Sequence, residues 1–218
     1  MERFIQTRQS AGRIVHLAKP FVRWALGHEF ATVMDFGCGY GLQVAQLAAA
    51  GRAAHGVDVE FTPAALAEAA QHGYTLHSGS WDQLEADAYD AGISHHCLEH
   101  ARDPVLWLHQ WGWCLKPGAP MFVAVPGYTP VLSAGHISAG FDPGKLAYLM
   151  AVAGFDCSHG EFRKVGECVW GMGYRPPTME IADTNVTGWT SNPKLMPVQF
   201  GIKEGCGNHI LQPGNWIK

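Results

Sequence analysis

Short apolar runs alternate along this chain with longer segments whose apolar positions recur every three or four residues. The short runs predict strands over residues 31–36, 53–59, 74–77, 89–94 and 120–125, and Phe155 begins a last pair. The longer segments predict helices. Residues 3–28 carry Ile14, Leu17, Phe21, Trp24 and Ala25 at helical spacing, with Pro20 breaking or kinking the middle. Residues 41–50 are rich in Ala, Leu and Gln and stop at Gly51. Thr62-Pro63, Asp103-Pro104 and Asp142-Pro143 each pair a capping residue with a first-turn proline, and open helices running to Gln71, Leu115 and Val152. Strands alternating with helices imply a Rossmann-like, doubly wound α/β fold. We expect a mostly parallel seven-stranded sheet with helices on both faces, and ligands beyond the carboxyl ends of its strands.

The periodicity fades after Arg175. Residues 1–175 therefore read as one domain, with 1–28 as an N-terminal helical segment. Residues 176–218 read as an irregular extension that would serve as a lid, a wrapping segment or a homodimer arm. Trp189 and Trp216 in that tail would cover an aromatic substrate or form a subunit contact.

Composition narrows the function classes. The 218 residues are 47% hydrophobic, enough for one sizeable core. A formal net charge of -4 with no Lys/Arg cluster argues against a nucleic-acid partner. Met1–Ser10 lacks an apolar signal core, and no apolar run approaches the ~20 residues of a membrane span. The six cysteines show no CxxC pair and sit within apolar segments, as reduced buried thiols do. The expectation is a cytoplasmic protein with no membrane contact.

Val33-Met34-Asp35-Phe36-Gly37-Cys38-Gly39-Tyr40-Gly41 carries the most chemistry. An apolar strand ends in Asp35, and Gly37, Gly39 and Gly41 then permit positive φ and close approach of a ligand to the backbone. Cys38 reads as a small filler. Asp58 ends the second strand seventeen residues after Gly41, where a carboxylate accepts bonds from ribose hydroxyls. The order Asp-x-Gly-x-Gly-x-Gly, with Lys116-Pro117-Gly118 after the fourth helix, disfavours a NAD-dependent dehydrogenase.

With HGVDVE, SGSWDQL, YDAGISHHCLEHARDP, CLKPGAPMFVAVP and the helix leading to AGF, this segment resembles the class I S-adenosylmethionine-dependent methyltransferases over roughly residues 30–160. The resemblance implies that Asp35, Gly37 and Gly39 face the amino-acid part of S-adenosylmethionine, with Cys38 and Gly41 also at the cofactor. It implies that Asp58 and Val59 hold the ribose side, and that Ser80 and Trp81 lie by the adenine. Ser94 and His95 would complete the pocket. The family often has an acid where Ser80 stands, and Asp82 would take over that role.

His96, Glu99 and His100 stand at i, i+3 and i+4 just after the fourth strand, and would share one face of a helical turn. His136, in a loop after the fifth strand, would complete a divalent-metal site with them. The pattern is similar to the Glu-x-x-Glu-His plus distant His of the ubiquinone-biosynthesis O-methyltransferases and the small-RNA 2′-hydroxyl methyltransferases. Here His96 replaces the first Glu, which suits Zn, Mn, Fe or Ni better than Mg. Without a metal, His96 or His100 would be the general base, or Glu99 would cap the next helix with His100 packed under it. The histidines favour a hydroxyl acceptor. The leading reading is therefore O-methylation of a small molecule. RNA 2′-hydroxyl methylation and non-catalytic S-adenosylmethionine binding stand as alternatives.

Overall fold

A computed structural model describes residues 19–128 and 135–181. A helix through residues 19–25 (α1) precedes β1 (Thr32–Phe36), α2 (Leu42–Ala49), β2 (Ala53–Asp58), α3 (Pro63–Gln71) and β3 (Thr75–Ser78). β4 (Ala91–His95), α4 (Pro104–Cys114), β5 (Pro120–Pro126), α5 (Pro143–Val152), β6 (Asp156–Val165) and β7 (Cys168–Tyr174) follow. Short 3-10 turns occupy Trp81–Gln83 and Leu98–His100.

The seven strands form one sheet in the order β3-β2-β1-β4-β5-β7-β6. β1 to β5 pair in parallel, while β7 runs antiparallel to both β5 and β6. The expected mostly parallel Rossmann-like sheet is therefore present, and the final hairpin supplies its antiparallel edge. Alternate residues of each strand feed cores on opposite faces. Met34 and Phe36 pack with Leu108 and Trp111 of α4 and with Leu146 and Met150 of α5. Val33 and Ile93 pack with Phe21 of α1 and with Val44 and Leu47 of α2.

The helices start where their sequence signals stand. Thr62 Oγ1 accepts from the Ala65 amide at 3.2 Å, Asp103 Oδ1 from Leu106 at 2.9 Å, and Asp142 Oδ1 from Lys145 at 2.7 Å. Each caps a helix whose first residue is proline, which has no N–H to orphan. β4 begins at Ala91, later than expected; before it Tyr89 makes only an isolated bridge to Leu115, and Asp90 ties the approach to β1. Its carboxylate accepts from the Thr32 amide and hydroxyl, both at 2.9 Å, and from Lys116 Nζ at 2.7 Å. Among the described residues no helix is long and apolar enough to cross a membrane. Most of the expected N-terminal helix, Ser133 and Ala134, and the tail from 182 with Trp189 and Trp216 lie outside the described residues.

Candidate functional site

β1 ends in a turn built by its glycines. Gly37, Gly39 and Gly41 have φ of 72°, 56° and 73°, the left-handed region that favours glycine. Gly41 then caps α2 without a side chain. The Gly37 and Cys38 amides donate to the Val57 carbonyl at 2.9 and 3.1 Å, which clamps the turn to β2. The Cys38 thiol is buried under the turn as a filler; a Cβ on Gly56 would come within 2.6 Å of its Sγ.

Two carboxylates flank this turn. Asp58 Oδ2 accepts from the Gly39 amide and Oδ1 from Val59, both at 2.7 Å. Asp35 is fully buried, and neither of its oxygens has a hydrogen-bond partner among the described residues. Burial first, and then the Asp58 charge, push its carboxyl well above the usual carboxylate range. A cation beside it would favour the ionised form. An ammonium next to Asp35 and a diol next to Asp58 therefore suit the donor set.

Beyond β2, Val59 is 83% exposed at the strand end, an apolar surface open to a flat ligand. Ser80 and Asp82 are exposed at the Trp81–Gln83 turn. Trp81 is half-buried. Its indole N–H donates to Gln110 Oε1 at 2.9 Å, and its ring meets Trp107 and Trp111 edge-on at 4.6 and 5.7 Å. The side chains of Ser94 and His95, two residues expected at the cofactor, sit within the core. Ser94 Oγ donates to the Phe36 carbonyl at 3.0 Å, tying β4 to β1. His95 packs on Phe21 of α1 at 5.3 Å. Burial, and then His96, lower it to about 3.

The histidine cluster divides in two. His96 does not share a helical turn with Glu99 and His100. It has φ 57°, and its amide bonds to the Ala124 carbonyl of β5 at 2.8 Å. Its Nε2 lies 3.3 Å from Cys168 Sγ and its Nδ1 3.4 Å from Glu99 Oε1. Burial lowers its pKa, but the Cys168 thiol and the Glu99 carboxylate outweigh burial and raise it to about 9.

Glu99, His100 and His136 form the other group, with one ligand atom each all within 4.8 Å of one another. Of the four residues expected to hold a metal, these three come together, while both His96 nitrogens face other partners. Glu99 is 1% exposed, and among the described residues its carboxylate faces His96 Nδ1 at 3.4 Å. His100 Nδ1 lies 2.8 Å from the Gly135 carbonyl. A carbonyl only accepts, so Nδ1 carries a proton, and in the neutral ring the lone pair is on Nε2. Glu99 also anchors the His136 loop, its carbonyl accepting from the Ile137 and Ser138 amides at 2.9 Å each.

Three groups escaped sequence reasoning. The Gly135 carbonyl and Gln110 orient His100 and Trp81 with no motif to announce them. Cys168 had one usable signal, since a strand returning antiparallel beside β5 begins at the carboxyl edge.

A family model described as a methyltransferase domain matches residues 7–159. No curated protein matches the chain in sequence. Among solved structures, it is similar to a chain of the complex between the Haloferax volcanii Trm112 methyltransferase activator and a methyltransferase. Identity there is 18% and the TM-score 0.63, covering 78% of this chain and 92% of that one. It is similar to the Burkholderia thailandensis 1,6-didemethyltoxoflavin-N1-methyltransferase, solved with 1,6-didemethyltoxoflavin and S-adenosylhomocysteine bound. That match has 16% identity and a TM-score of 0.62, with 81% and 93% coverage. An O-methyltransferase family protein from Burkholderia thailandensis matches at 20% identity and a TM-score of 0.60, over 76% of this chain and 58% of that longer one.

Proposed function

This chain belongs to the methyltransferase-domain family, with the class I fold of S-adenosylmethionine-dependent enzymes, and from that premise we propose that it methylates a hydroxyl of a small molecule with His100 as general base. The observation that carries the reading is the bond of His100 Nδ1 to the Gly135 carbonyl, which leaves Nε2 of the neutral ring as the proton acceptor. His100 lies beyond the carboxyl end of β4. His96 is the poorer base, since its two nitrogens face Cys168 and Glu99.

Asp35 and Asp58 fit S-adenosylmethionine. Asp35 offers a buried, unpartnered carboxylate to the amino group of the cofactor, and Asp58 offers acceptors to the ribose diol. S-adenosylmethionine, when bound, supplies a methyl activated by its sulfonium charge. The chain has to bring a nucleophile into line and take its proton. His100 Nε2 accepts the hydroxyl proton, and the Glu99 carboxylate favours the imidazolium that forms.

The test has two steps. Calorimetry should detect S-adenosylhomocysteine binding to the full chain. A coupled assay for S-adenosylhomocysteine release should then find turnover among phenols and other hydroxylated small molecules, abolished by His100→Gln. A folded protein that binds no S-adenosylhomocysteine overturns the cofactor. Turnover that survives His100→Gln overturns the base. A divalent ion among Glu99, His100 and His136 is the competing reading, favoured by their close ligand atoms. About one bound ion by elemental analysis, with activity lost to a chelator and restored by Zn or Mn, would instead assign Glu99, His100 and His136 to holding a metal that would acidify the acceptor.

A further inference from the structure

Residues 135–138 follow β5 in the chain and bond to the turn that follows β4. They meet three consecutive residues of it. The Glu99 carbonyl accepts from the Ile137 and Ser138 amides at 2.9 Å each. His100 Nδ1 lies 2.8 Å from the Gly135 carbonyl, and the Ala101 carbonyl accepts from Ser138 Oγ at 3.1 Å. His100 is thus bracketed. The residue before it and the residue after it are tied to the same segment that holds its ring.

These contacts are unequal. The bond between His100 and Gly135 is exposed, so water competes for both partners. Such a bond fixes a ring only where its acceptor is already held in place. Gly135 takes φ 86° and has no side chain with which to anchor itself, so its neighbours must hold it. The two amide bonds to Glu99 are main-chain and would form with almost any residue at 137 or 138. The Ser138 hydroxyl supplies the remaining tie, and that bond is part-buried, where water competes less. A ring nitrogen bonded to a carbonyl carries a proton, and the lone pair of the neutral ring is then on the other nitrogen. Whatever holds the Gly135 carbonyl therefore selects the tautomer.

We propose that Ser138 is the positioning residue of His100: its hydroxyl clamps residues 135–138 to Ala101, which keeps the Gly135 carbonyl on Nδ1 and the neutral ring in its Nδ1–H form. Ser138→Ala leaves the Ala101 carbonyl without this partner and frees the segment to shift by the fraction of an ångström that separates a good hydrogen bond from a poor one. What this does to turnover rests on the reading of His100 as general base. What it does to the ring does not.

The test is nitrogen-15 NMR of the histidine side chains in the full-length, chelator-treated protein at pH 8, where an ordinary imidazole is neutral. The His100 signals are identified by their loss in His100→Gln, and each ring nitrogen is read separately. In wild type the Nδ1–H form of His100 should exceed the Nε2–H form about tenfold, the worth of one net hydrogen bond. Ser138→Ala should lower that ratio about threefold or more while a thermal melt shows the fold intact. Ser138→Thr, which keeps the hydroxyl, should retain most of it. A folded Ser138→Ala protein with the wild-type ratio overturns the proposal, and so does a wild-type His100 that carries its proton on Nε2. If Ser138→Ala fails to fold, Ser138→Cys, a near-isostere with a weak donor, takes its place under the same two outcomes. Turnover that survives His100→Gln would remove the base and leave this proposal standing, so the two fail separately.

Discussion

Asp58 shows how much one residue carries. Its two oxygens hold the Gly39 and Val59 amides and so shape the surface on which the ribose would lie. Asp58→Ala removes charge-assisted acceptors worth about 1.5–3 kcal/mol, so calorimetry should show S-adenosylhomocysteine affinity falling roughly tenfold to a hundredfold. Gly37→Ala should act through the backbone. A side chain there is strained at φ 72°, and its Cβ would overlap Cys97 Sγ. The expected outcome is a lower melting temperature together with lost cofactor binding. Both positions are legible in the sequence because their chemistry is local: a strand end, a glycine turn and an acid at the next strand end. His96 was legible only as a histidine. Its positive φ and its partner Cys168, 72 residues away, come from the way β4 and β7 meet at one edge.

Packing between elements makes His95 one acid-sensitive point among the described residues. It sits between β4 and α1, and burial followed by His96 hold it down to about 3 from the usual 6.5. The folded chain therefore keeps it neutral where the unfolded chain takes up a proton. Stability attributable to His95 is complete above 6.5 and is lost as pH falls from 6.5 towards 3. His95→Phe keeps an aromatic ring against Phe21 without the proton. Its melting temperature should fall less than wild type between pH 7 and pH 4.5, and equal falls would refute the assignment. The helix caps make a plainer case. Asp103→Ala unpins the start of α4 and should cost about 1 kcal/mol in a urea melt, with S-adenosylhomocysteine binding unchanged. Capping dipeptides are visible in a sequence because they are contiguous. The order β5-β7-β6 is not, since a strand's neighbour depends on which edge the closing hairpin joins.

On the proposed reading, the sheet separates the two tasks of a methyltransferase. The β1 and β2 ends carry Asp35, the glycine turn and Asp58, while the β4 and β5 ends carry the histidines. Binding and proton removal should therefore fail independently, and a thermal melt with a turnover assay separates them. A ligand that binds only the folded chain adds about 2.7 kcal/mol at a hundred times its Kd. For a chain of this size that is about 5–10 °C in melting temperature. S-adenosylhomocysteine should give wild type and His100→Gln the same rise, because His100 lies with the histidines and not with the carboxylates of the glycine turn. Asp58→Ala should lose about half of the rise or more at the same ligand concentration. Turnover should vanish in His100→Gln despite its intact binding. If His100→Gln loses the thermal shift as well, the two ends of the sheet are not separable, and the histidine group must be reassigned to holding the cofactor.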